Sequence, residues 1–328
     1  MKKIKILATG GTIAGKAASS TQLTGYTAGA YSVDDLLASV PALGELAQIS
    51  GEQLCNIDSS SITDALLLRL AHRCNELLAQ EDVDGVVITH GTDTMEETAF
   101  FLNLTVKSDK PVVLVGAMRP ATAVSADGPL NIINAVKTAV CAESAGQGVL
   151  VVMNDEIYGG RDVMKTNTAN VATFKAPNGG ALGCIVGGEV RYYYRSVRPH
   201  TLAAEFAISR VTALPRVDII YAHIGQDRVL VDAACAAGAR GLVYAGSGMG
   251  SIHGAVEAAL AEAVQSGVVV VRSSRTGSGR VSAGLARWQE QGFLYADNLN
   301  PQKARLLLQL ALLQTHERSE VQELLLRY

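Results

Sequence analysis

Two threonine-containing turns of similar composition could carry nucleophilic chemistry. T-G-G-T at residues 9–12 ends in Thr12, and H-G-T-D at residues 90–93 contains Thr92 and Asp93. Glycine lets the backbone approach a ligand closely and leaves amide N–H groups available to bind an oxyanion. A threonine hydroxyl is a weak nucleophile at neutral pH and needs a base. The two turns therefore suggest hydrolysis by an activated threonine.

A lysine and a tyrosine elsewhere in the chain could complete such a site. Lys165 lies in the polar stretch DVMKTNTAN, and a partly desolvated lysine held by an aspartate can act as a base. Tyr26 lies in ASSTQLTGYTAGA, a composition typical of a mobile lid. Each also has a simpler explanation, as a surface lysine and a packing aromatic. Likewise, Thr94-x-x-Glu97 has the pattern of a helix capping box.

The stretch GGTIAGKA, residues 10–17, almost matches a phosphate-binding loop. That motif ends in a serine or threonine whose hydroxyl binds Mg²⁺, and here Ala17 occupies the position. A nucleotide-dependent enzyme is therefore a third-ranked hypothesis. A simple tight turn after the first strand would explain the two glycines but not the choice of Thr12.

Strands and helices alternate along most of the chain, which favours parallel sheets covered by helices. Thr12, Thr92 and Asp93 follow predicted strands, where open α/β sheets bind their ligands. Predicted strands occupy residues 3–8, 85–89, 110–117 and 148–154, and a hairpin about Gly187-Gly188 occupies residues 181–194.

The pattern predicts an α/β protein of two domains. Residues 1–195 form the larger N-terminal domain, with a mixed sheet and the two threonines. Residues 196–215 have weaker periodicity and are predicted to be a linker. Residues 216–328 form a smaller C-terminal domain with a parallel, flavodoxin-like sheet.

The composition excludes several classes of function. The 328 residues are 48% hydrophobic and carry a net charge of −3, which favours neither nucleic acid nor an anionic membrane as a partner. No apolar run reaches membrane-spanning length. The five cysteines are scattered, with no metal-site spacing, and no export signal is visible after Met1. We expect a cytoplasmic protein with reduced thiols.

Several segments together resemble the bacterial type II L-asparaginases, of the asparaginase/glutaminase family. The two signatures are ILATGGTIAG and DGVVITHGTDTMEETAFFL, supported by KPVVLVGAMRP, KTNTANVATFKAP and LNPQKARLLLQLAL. The resemblance implies a homotetramer with active sites at subunit interfaces, hydrolysis of L-asparagine to L-aspartate and ammonia, and no metal or cofactor. It also makes a periplasmic location an alternative, since similar enzymes are often periplasmic.

By this resemblance, Thr12 matches the nucleophile that forms an acyl-enzyme, and Tyr26 matches the lid tyrosine. Thr92, Asp93 and Lys165 match the second catalytic group. Asp93 would also bind the substrate amine, and the backbone N–H of Thr92 would help to form the oxyanion hole.

The resemblance also indicates substrate-binding residues. Ser59 matches the serine that holds the α-carboxylate, Ala117 a backbone carbonyl that receives the amide nitrogen, and Ser251 a position in the AGSGMGS loop. Ser60 stands where the family has Gln or Glu on the substrate amine. Only Glu290 is a candidate for the acid that the neighbouring subunit contributes.

These departures favour weaker substrate binding, with recognition of the amine resting more on Asp93. Selectivity for asparagine over glutamine depends on one methylene, which pockets separate by only about 1–3 kcal/mol, so some glutamine hydrolysis is expected. The alternative from another class is an amino-acid-binding sensor with little turnover. The intact Thr12, Thr92, Asp93 and Lys165 argue against it.

Overall fold

The structure is a computed structural model that describes residues 1–25, 27 and 29–328. It divides into two compact units, Met1–Arg210 and Val211–Tyr328. The predicted linker, residues 196–215, spans the point where the first unit ends. Tyr26 lies outside the described residues, so its role as a lid stays a prediction.

The first unit contains an eight-stranded mixed sheet in the order β10-β9-β6-β5-β4-β3-β1-β2. Strands β1 to β5 pair with their neighbours in parallel, whereas each of the pairs β5–β6, β6–β9 and β9–β10 is antiparallel. Strands β7 and β8 form a separate antiparallel two-stranded ribbon. The strands are β1 (Lys3–Gly10), β2 (Gln48–Ile57), β3 (Gly85–Thr89), β4 (Val112–Val115), β5 (Val149–Met153), β6 (Glu156–Gly159), β7 (Met164–Lys165), β8 (Phe174–Lys175), β9 (Gly183–Val186) and β10 (Glu189–Tyr192).

The centre of this sheet is covered on both faces. Every residue of β3, β4 and β5 is buried, and these strands are runs of valine, isoleucine and leucine. Continuous apolar strands of this kind are typical of parallel sheets. At the edge, Gly187 and Gly188 join β9 to β10 with φ values of 60° and 83°, which confirms the predicted hairpin.

Five helices accompany this sheet in the part of the first unit that the structure describes. They are α1 (Val33–Ala38), α2 (Leu43–Leu46), α3 (Asp64–Leu78), α4 (Met95–Thr105) and α5 (Gly128–Val140). The predicted capping box at the start of α4 is wrong. The hydroxyl of Thr94 instead donates to the backbone carbonyl of Ser59, 2.8 Å away, because the turn after β2 packs against the start of this helix.

The second unit has a four-stranded parallel sheet in the order β11-β12-β13-β14, which confirms a smaller C-terminal parallel-sheet region. Within the described residues, no helix is both long and apolar enough to cross a membrane. The strands and helices are β11 (Val217–Tyr221), α6 (Val229–Ala236), β12 (Gly241–Gly246), α7 (Gly254–Gln265), β13 (Val269–Ser274), α8 (Ala286–Glu290), β14 (Leu294–Tyr295), α9 (Pro301–Ala311) and α10 (Arg318–Arg327).

Candidate active site

Three turns at the carboxyl ends of β1, β2 and β3 pack directly on one another. A Cβ atom on Gly11 would lie 2.4 Å from the Cα of Gly91, and one on Gly91 would lie 2.6 Å from Oγ of Ser59. Gly11 also has a φ of 82°, in the left-handed region. Only glycine fits at both positions, so these glycines bring Thr12, Thr92 and Ser59 into one neighbourhood.

Thr12 begins a single 3-10 turn, Thr12–Ala14, directly after β1. Its side chain is buried, and its carbonyl accepts the backbone N–H of Gly15 at 2.8 Å. The chain then continues in extended form, since Lys16 pairs with Thr27 in a β-bridge. A phosphate-binding loop leads directly into a helix, whereas the next helix here is α1, so this geometry does not favour nucleotide binding.

Thr92 is held by a lysine that is itself held by two acids. Nζ of Lys165 donates to Oγ1 of Thr92 at 2.9 Å and to Oδ1 of Asp93 at 2.5 Å. The Lys165 side chain is 15% exposed, and that of Asp93 is 58% exposed. Glu96, buried on α4, accepts the backbone N–H of Lys165 at 2.6 Å. The ribbon strand β7 thus brings Lys165 to the turn that carries Thr92.

Ser59 connects the turn after β2 to the turn after β3. It is buried, and its hydroxyl oxygen accepts the backbone N–H of Asp93 at 3.2 Å. The preceding residue, Asp58, caps the 3-10 turn Ser59–Ser61. Oδ1 of Asp58 accepts the N–H of Ser60 at 2.9 Å and its hydroxyl at 2.8 Å. Ser60 is exposed and is engaged by this acid.

A fully buried histidine supports the second threonine turn. The Nδ1 atom of His90 lies 2.6 Å from the carbonyl oxygen of Gly91, and Nε2 lies 2.9 Å from the hydroxyl of Thr98. Only a donor satisfies a carbonyl, so Nδ1 carries the proton and Nε2 accepts from the hydroxyl. Burial lowers the pKa of His90 to about 4, which keeps the ring neutral at pH 7.

The loop after β4 is anchored by an acid and an amide. The Asp127 carboxylate accepts the backbone N–H groups of Met118 and Arg119, each at 2.9 Å. Asn131 on α5 donates to the carbonyl of Gly116 at 3.0 Å. Ala117, whose carbonyl was expected to receive the amide nitrogen, is completely buried between these anchored residues.

These turns surround a cleft of about 510 Å³. It contains five of the predicted site residues, namely Thr12, Ser59, Thr92, Asp93 and Lys165. The remaining lining residues are Gly11, Leu23, Thr24, Gly25, Asp58, Gly91, Met118, Arg119, Thr168 and Ala169.

Four other predicted site residues are placed differently. Among the described residues, Ser60 and Ala117 do not line the cleft but adjoin Ser59 and Met118, which do. Ser251 belongs to the second unit, where its backbone bridges to Ser247 after β12. Glu290 is the last residue of α8 in the same unit. The roles expected of these residues stay predictions.

Sequence reasoning missed several residues of the cleft, above all Asp58 and Arg119. Asp58 directly precedes Ser59, which the resemblance had already indicated, and Arg119 lies in the quoted segment KPVVLVGAMRP. Arg119 follows a predicted strand, so its position was a signal that could have identified it, whereas the strand that precedes Asp58 was not predicted. Glu96 and His90 touch site residues from behind, and a buried polar side chain is recognised only from the folded structure.

The cleft combines two hydroxyls with charged groups of both signs. Asp58 and Asp93 are acidic, whereas Arg119 and Lys165 are basic. Such a lining suits a small molecule that carries both charges. Across the described parts of the chain, no group of three or more histidine, cysteine, aspartate or glutamate side chains is placed to hold a metal ion.

Comparisons with known proteins identify the family to which this chain belongs. Residues 3–198 match the family model "Asparaginase, N-terminal", and residues 216–325 match "Glutaminase/Asparaginase C-terminal domain". The chain is 51% identical to L-asparaginase 2 of Bacillus subtilis (strain 168), over 98% of this chain and 85% of that protein. It is 48% identical to the probable periplasmic L-asparaginase of Haemophilus influenzae, over 98% and 92% of the two chains.

A solved structure gives the same result for the fold. The crystal structure of the probable cytoplasmic L-asparaginase from Campylobacter jejuni superposes with a TM-score of 0.98, at 50% identity, over the whole of both chains. Two family models, near-complete coverage and identities of about half the residues leave no other family to consider. The chain belongs to the asparaginase/glutaminase family, in its bacterial type II L-asparaginase group.

Proposed function

We propose that this protein is an L-asparaginase that hydrolyses L-asparagine to L-aspartate and ammonia, with a side activity on L-glutamine. The observation that carries the proposal is the placement of Thr12 beside Thr92 in one cleft, with Nζ of Lys165 2.9 Å from Oγ1 of Thr92. Membership of the asparaginase/glutaminase family supports the choice of substrate. The hydroxyls of Thr12 and Thr92 support this reaction class, because hydrolysis of an amide needs a nucleophile and a group that transfers protons.

In the first step, Oγ of Thr12 attacks the carbon of the side-chain amide. A C–O bond forms, and the negative charge on the amide oxygen is stabilised by backbone N–H groups, among them that of Thr92. The C–N bond then breaks, and the nitrogen leaves as ammonia with the proton that Thr12 has lost. The product of this step is an aspartyl ester on Thr12.

In the second step, a water molecule attacks the ester and returns a proton to Oγ of Thr12, which releases L-aspartate. We assign the handling of the proton of this water to the Thr92 hydroxyl and the amine of Lys165. Asp93 holds that amine in place, with Oδ1 2.5 Å from Nζ. The buried Glu96 adds a second anchor through the backbone of Lys165.

Ser59 is proposed to bind the α-carboxylate, and Asp93 the α-ammonium. Ser59 supports this role because it lines the cleft and its hydroxyl oxygen is fixed by the backbone N–H of Asp93, 3.2 Å away. Ala117 is proposed to accept a hydrogen bond from the amide nitrogen through its carbonyl. The anchoring of its neighbours by Asp127 supports a carbonyl of defined direction.

We also propose a homotetramer with active sites at subunit interfaces, to which Ser251 and Glu290 would contribute. Large apolar side chains on the surface support association: Val197 is 93% exposed, and Tyr193 and Tyr194 are 69% and 66% exposed. Sedimentation velocity would show a single species of four chains. A monomer that is fully active would contradict the assembly.

Relatives of this protein include enzymes named cytoplasmic and periplasmic. We propose the cytoplasm, because all five cysteines are free thiols, as a reducing compartment keeps them. Fractionation of cells that express the natural gene would place the activity with a cytoplasmic marker. Recovery of the activity by osmotic shock would contradict this location.

The function is tested by ammonia release from L-asparagine and L-glutamine, measured side by side at neutral pH. We expect rapid release from L-asparagine and slower release from L-glutamine, and the ratio measures the selectivity of the cleft. The control is the Thr12→Val variant, which keeps the shape of the side chain and removes the hydroxyl. Binding of L-aspartate by the wild-type protein without release of ammonia from either amide would contradict the proposed function.

A further inference from the structure

Asp58 is an acidic residue of the cleft that is held by hydrogen bonds and, within the described residues, not by an ion pair. Its carboxylate accepts two hydrogen bonds, at 2.9 and 2.8 Å, and both come from neutral groups of Ser60. Among the ion pairs of the described residues, none involves Asp58. Asp93, the other acid of the cleft, differs, because its Oδ1 is paired with Nζ of Lys165 at 2.5 Å.

The position of Asp58 makes this charge available to a ligand. It is exposed, lines the cleft, and directly precedes the buried Ser59. Both bonds from Ser60 go to Oδ1, which leaves Oδ2 to accept from a bound molecule. Because these two bonds and the 3-10 turn hold the side chain, little conformational entropy is lost when a ligand binds to it.

The substrate of the proposed function carries one cationic group, its α-ammonium. We propose that the carboxylate of Asp58 binds this α-ammonium together with Asp93, and so selects α-amino acid amides over amides that lack the amine. The proposal rests on the proposed function. It assigns to Asp58 part of the recognition that the sequence alone places on Asp93.

A purely structural role for Asp58 would be the capping of the turn Ser59–Ser61. Asparagine and serine cap such turns as well as aspartate does. Asp58→Asn therefore keeps an acceptor for Ser60 and removes the charge. The two roles differ in which ligands the substitution affects: loss of a cap disturbs Ser59 and weakens every ligand, whereas loss of the charge weakens only ligands with an amine.

The test compares binding of L-aspartate and succinate, which differ only by the α-amino group. Isothermal titration calorimetry is performed on the full-length wild-type protein, on Asp58→Asn and on the control Asp82→Asn, which changes an exposed carboxylate that pairs with Lys3 and does not line the cleft. A charged hydrogen bond contributes enough that its loss weakens binding about tenfold or more. We expect Asp58→Asn to weaken binding of L-aspartate by that factor and to leave binding of succinate unchanged or tighter, and Asp82→Asn to keep the wild-type affinity for both ligands.

Two results would overturn the proposal: an unchanged affinity of Asp58→Asn for L-aspartate, or an equal loss for L-aspartate and succinate. If Asp58→Asn does not fold, Asp58→Ser keeps a capping oxygen and serves in its place. The assay involves no turnover, so failure of this inference can be distinguished from failure of the proposed function. Wild-type protein that binds L-aspartate through Asp58 but releases no ammonia would disprove the function and leave this inference standing.

Discussion

The two threonine turns of the cleft are held in place by different kinds of interaction. The turn that carries Thr12 is held by its backbone: the carbonyl of Gly11 accepts from Ala14 and Gly29, and the N–H of Gly11 donates to Ile57. The turn that carries Thr92 is held by side chains, including Lys165 and the neutral His90.

The position of Thr12 is therefore set by backbone contacts, whereas the reactivity of Thr92 depends on side chains. Backbone contacts and two glycines place the turn that carries Thr12. Thr92 instead depends on a chain of charged groups, in which Glu96 holds Lys165 and Lys165 holds the hydroxyl. Substitutions behind the cleft should therefore affect the role of Thr92 less, the further they lie from it along this chain.

The largest effect is expected from removing either hydroxyl. Thr12→Val and Thr92→Val should each lower kcat for L-asparagine by about a thousandfold or more, since each hydroxyl is needed in the reaction. The double variant should be little worse than the poorer single variant, because residues that act as a unit are not additive. Thr12→Ser and Thr92→Ser are the controls. A Thr12→Val enzyme that keeps most of its activity would show that Thr12 is not the nucleophile.

Loss of the lysine should have the next largest effect. Lys165→Met keeps the length of the side chain but removes the amine that contacts Thr92, and kcat should fall by about 10²- to 10⁴-fold, as for a general base. Lys175→Met is the matched control, because Lys175 pairs with Glu156 and does not line the cleft. Equal kinetics for the two variants would show that the Lys165 contact has no role in turnover.

A smaller effect is expected from Glu96, one step behind Lys165. Glu96→Gln removes the negative charge that accepts the backbone N–H of Lys165, and kcat should fall by about tenfold, the value of one charged hydrogen bond. KM should change little, since Glu96 does not line the cleft. Glu52→Gln, which loses only a pair with Arg73, is the control. A rise in KM with unchanged kcat would contradict a positioning role.

The smallest effect on turnover, but a distinct one on stability, is expected from His90. Its pKa is lowered from 6.5 to about 4 by burial, so the unfolded chain binds a proton before the native protein does. Stability from this group is complete above pH 6.5 and falls as the pH drops toward 4, by about 3 kcal/mol in total.

His90→Gln removes that dependence, because glutamine does not titrate. Thermal unfolding midpoints of both proteins, measured between pH 8 and pH 4, should fall more steeply for the wild type. The carboxylates titrate in both proteins, so the difference between the two curves isolates His90. Parallel curves would mean that the native protein accepts a proton at His90 without cost.

Much of the fold follows from apolar patterns in the sequence. The valine- and isoleucine-rich runs predicted the central strands β3, β4 and β5, and paired glycines predicted the β9–β10 hairpin. Strand β2 was not predicted. It is an edge strand in which only Leu54 is buried, so its sequence carries no alternating apolar signal.

The site was predictable where residue type and strand ends coincide. Thr12 and Thr92 end strands in glycine-rich turns, so their residue type and position in the sequence are enough to identify them. Asp58 and Glu96 could not be placed in this way. Asp58 reaches the site because the end of β2 lies beside the end of β1, where Gly10 pairs with Ile57. Glu96 contacts Lys165 on the ribbon strand β7, which is 69 residues away in sequence. Such distances are set by tertiary packing and not by local pattern.

The central claim, that Thr12 is the nucleophile of an asparagine-hydrolysing enzyme, has one direct test. The wild-type and Thr92→Val proteins are mixed with L-asparagine, quenched in acid within a single turnover, digested and mapped by mass spectrometry. We predict an aspartyl ester on the peptide that contains Thr12, with ammonia released in equal amount. An aspartyl ester on Thr92 of the wild-type protein, with none on Thr12, would contradict the claim.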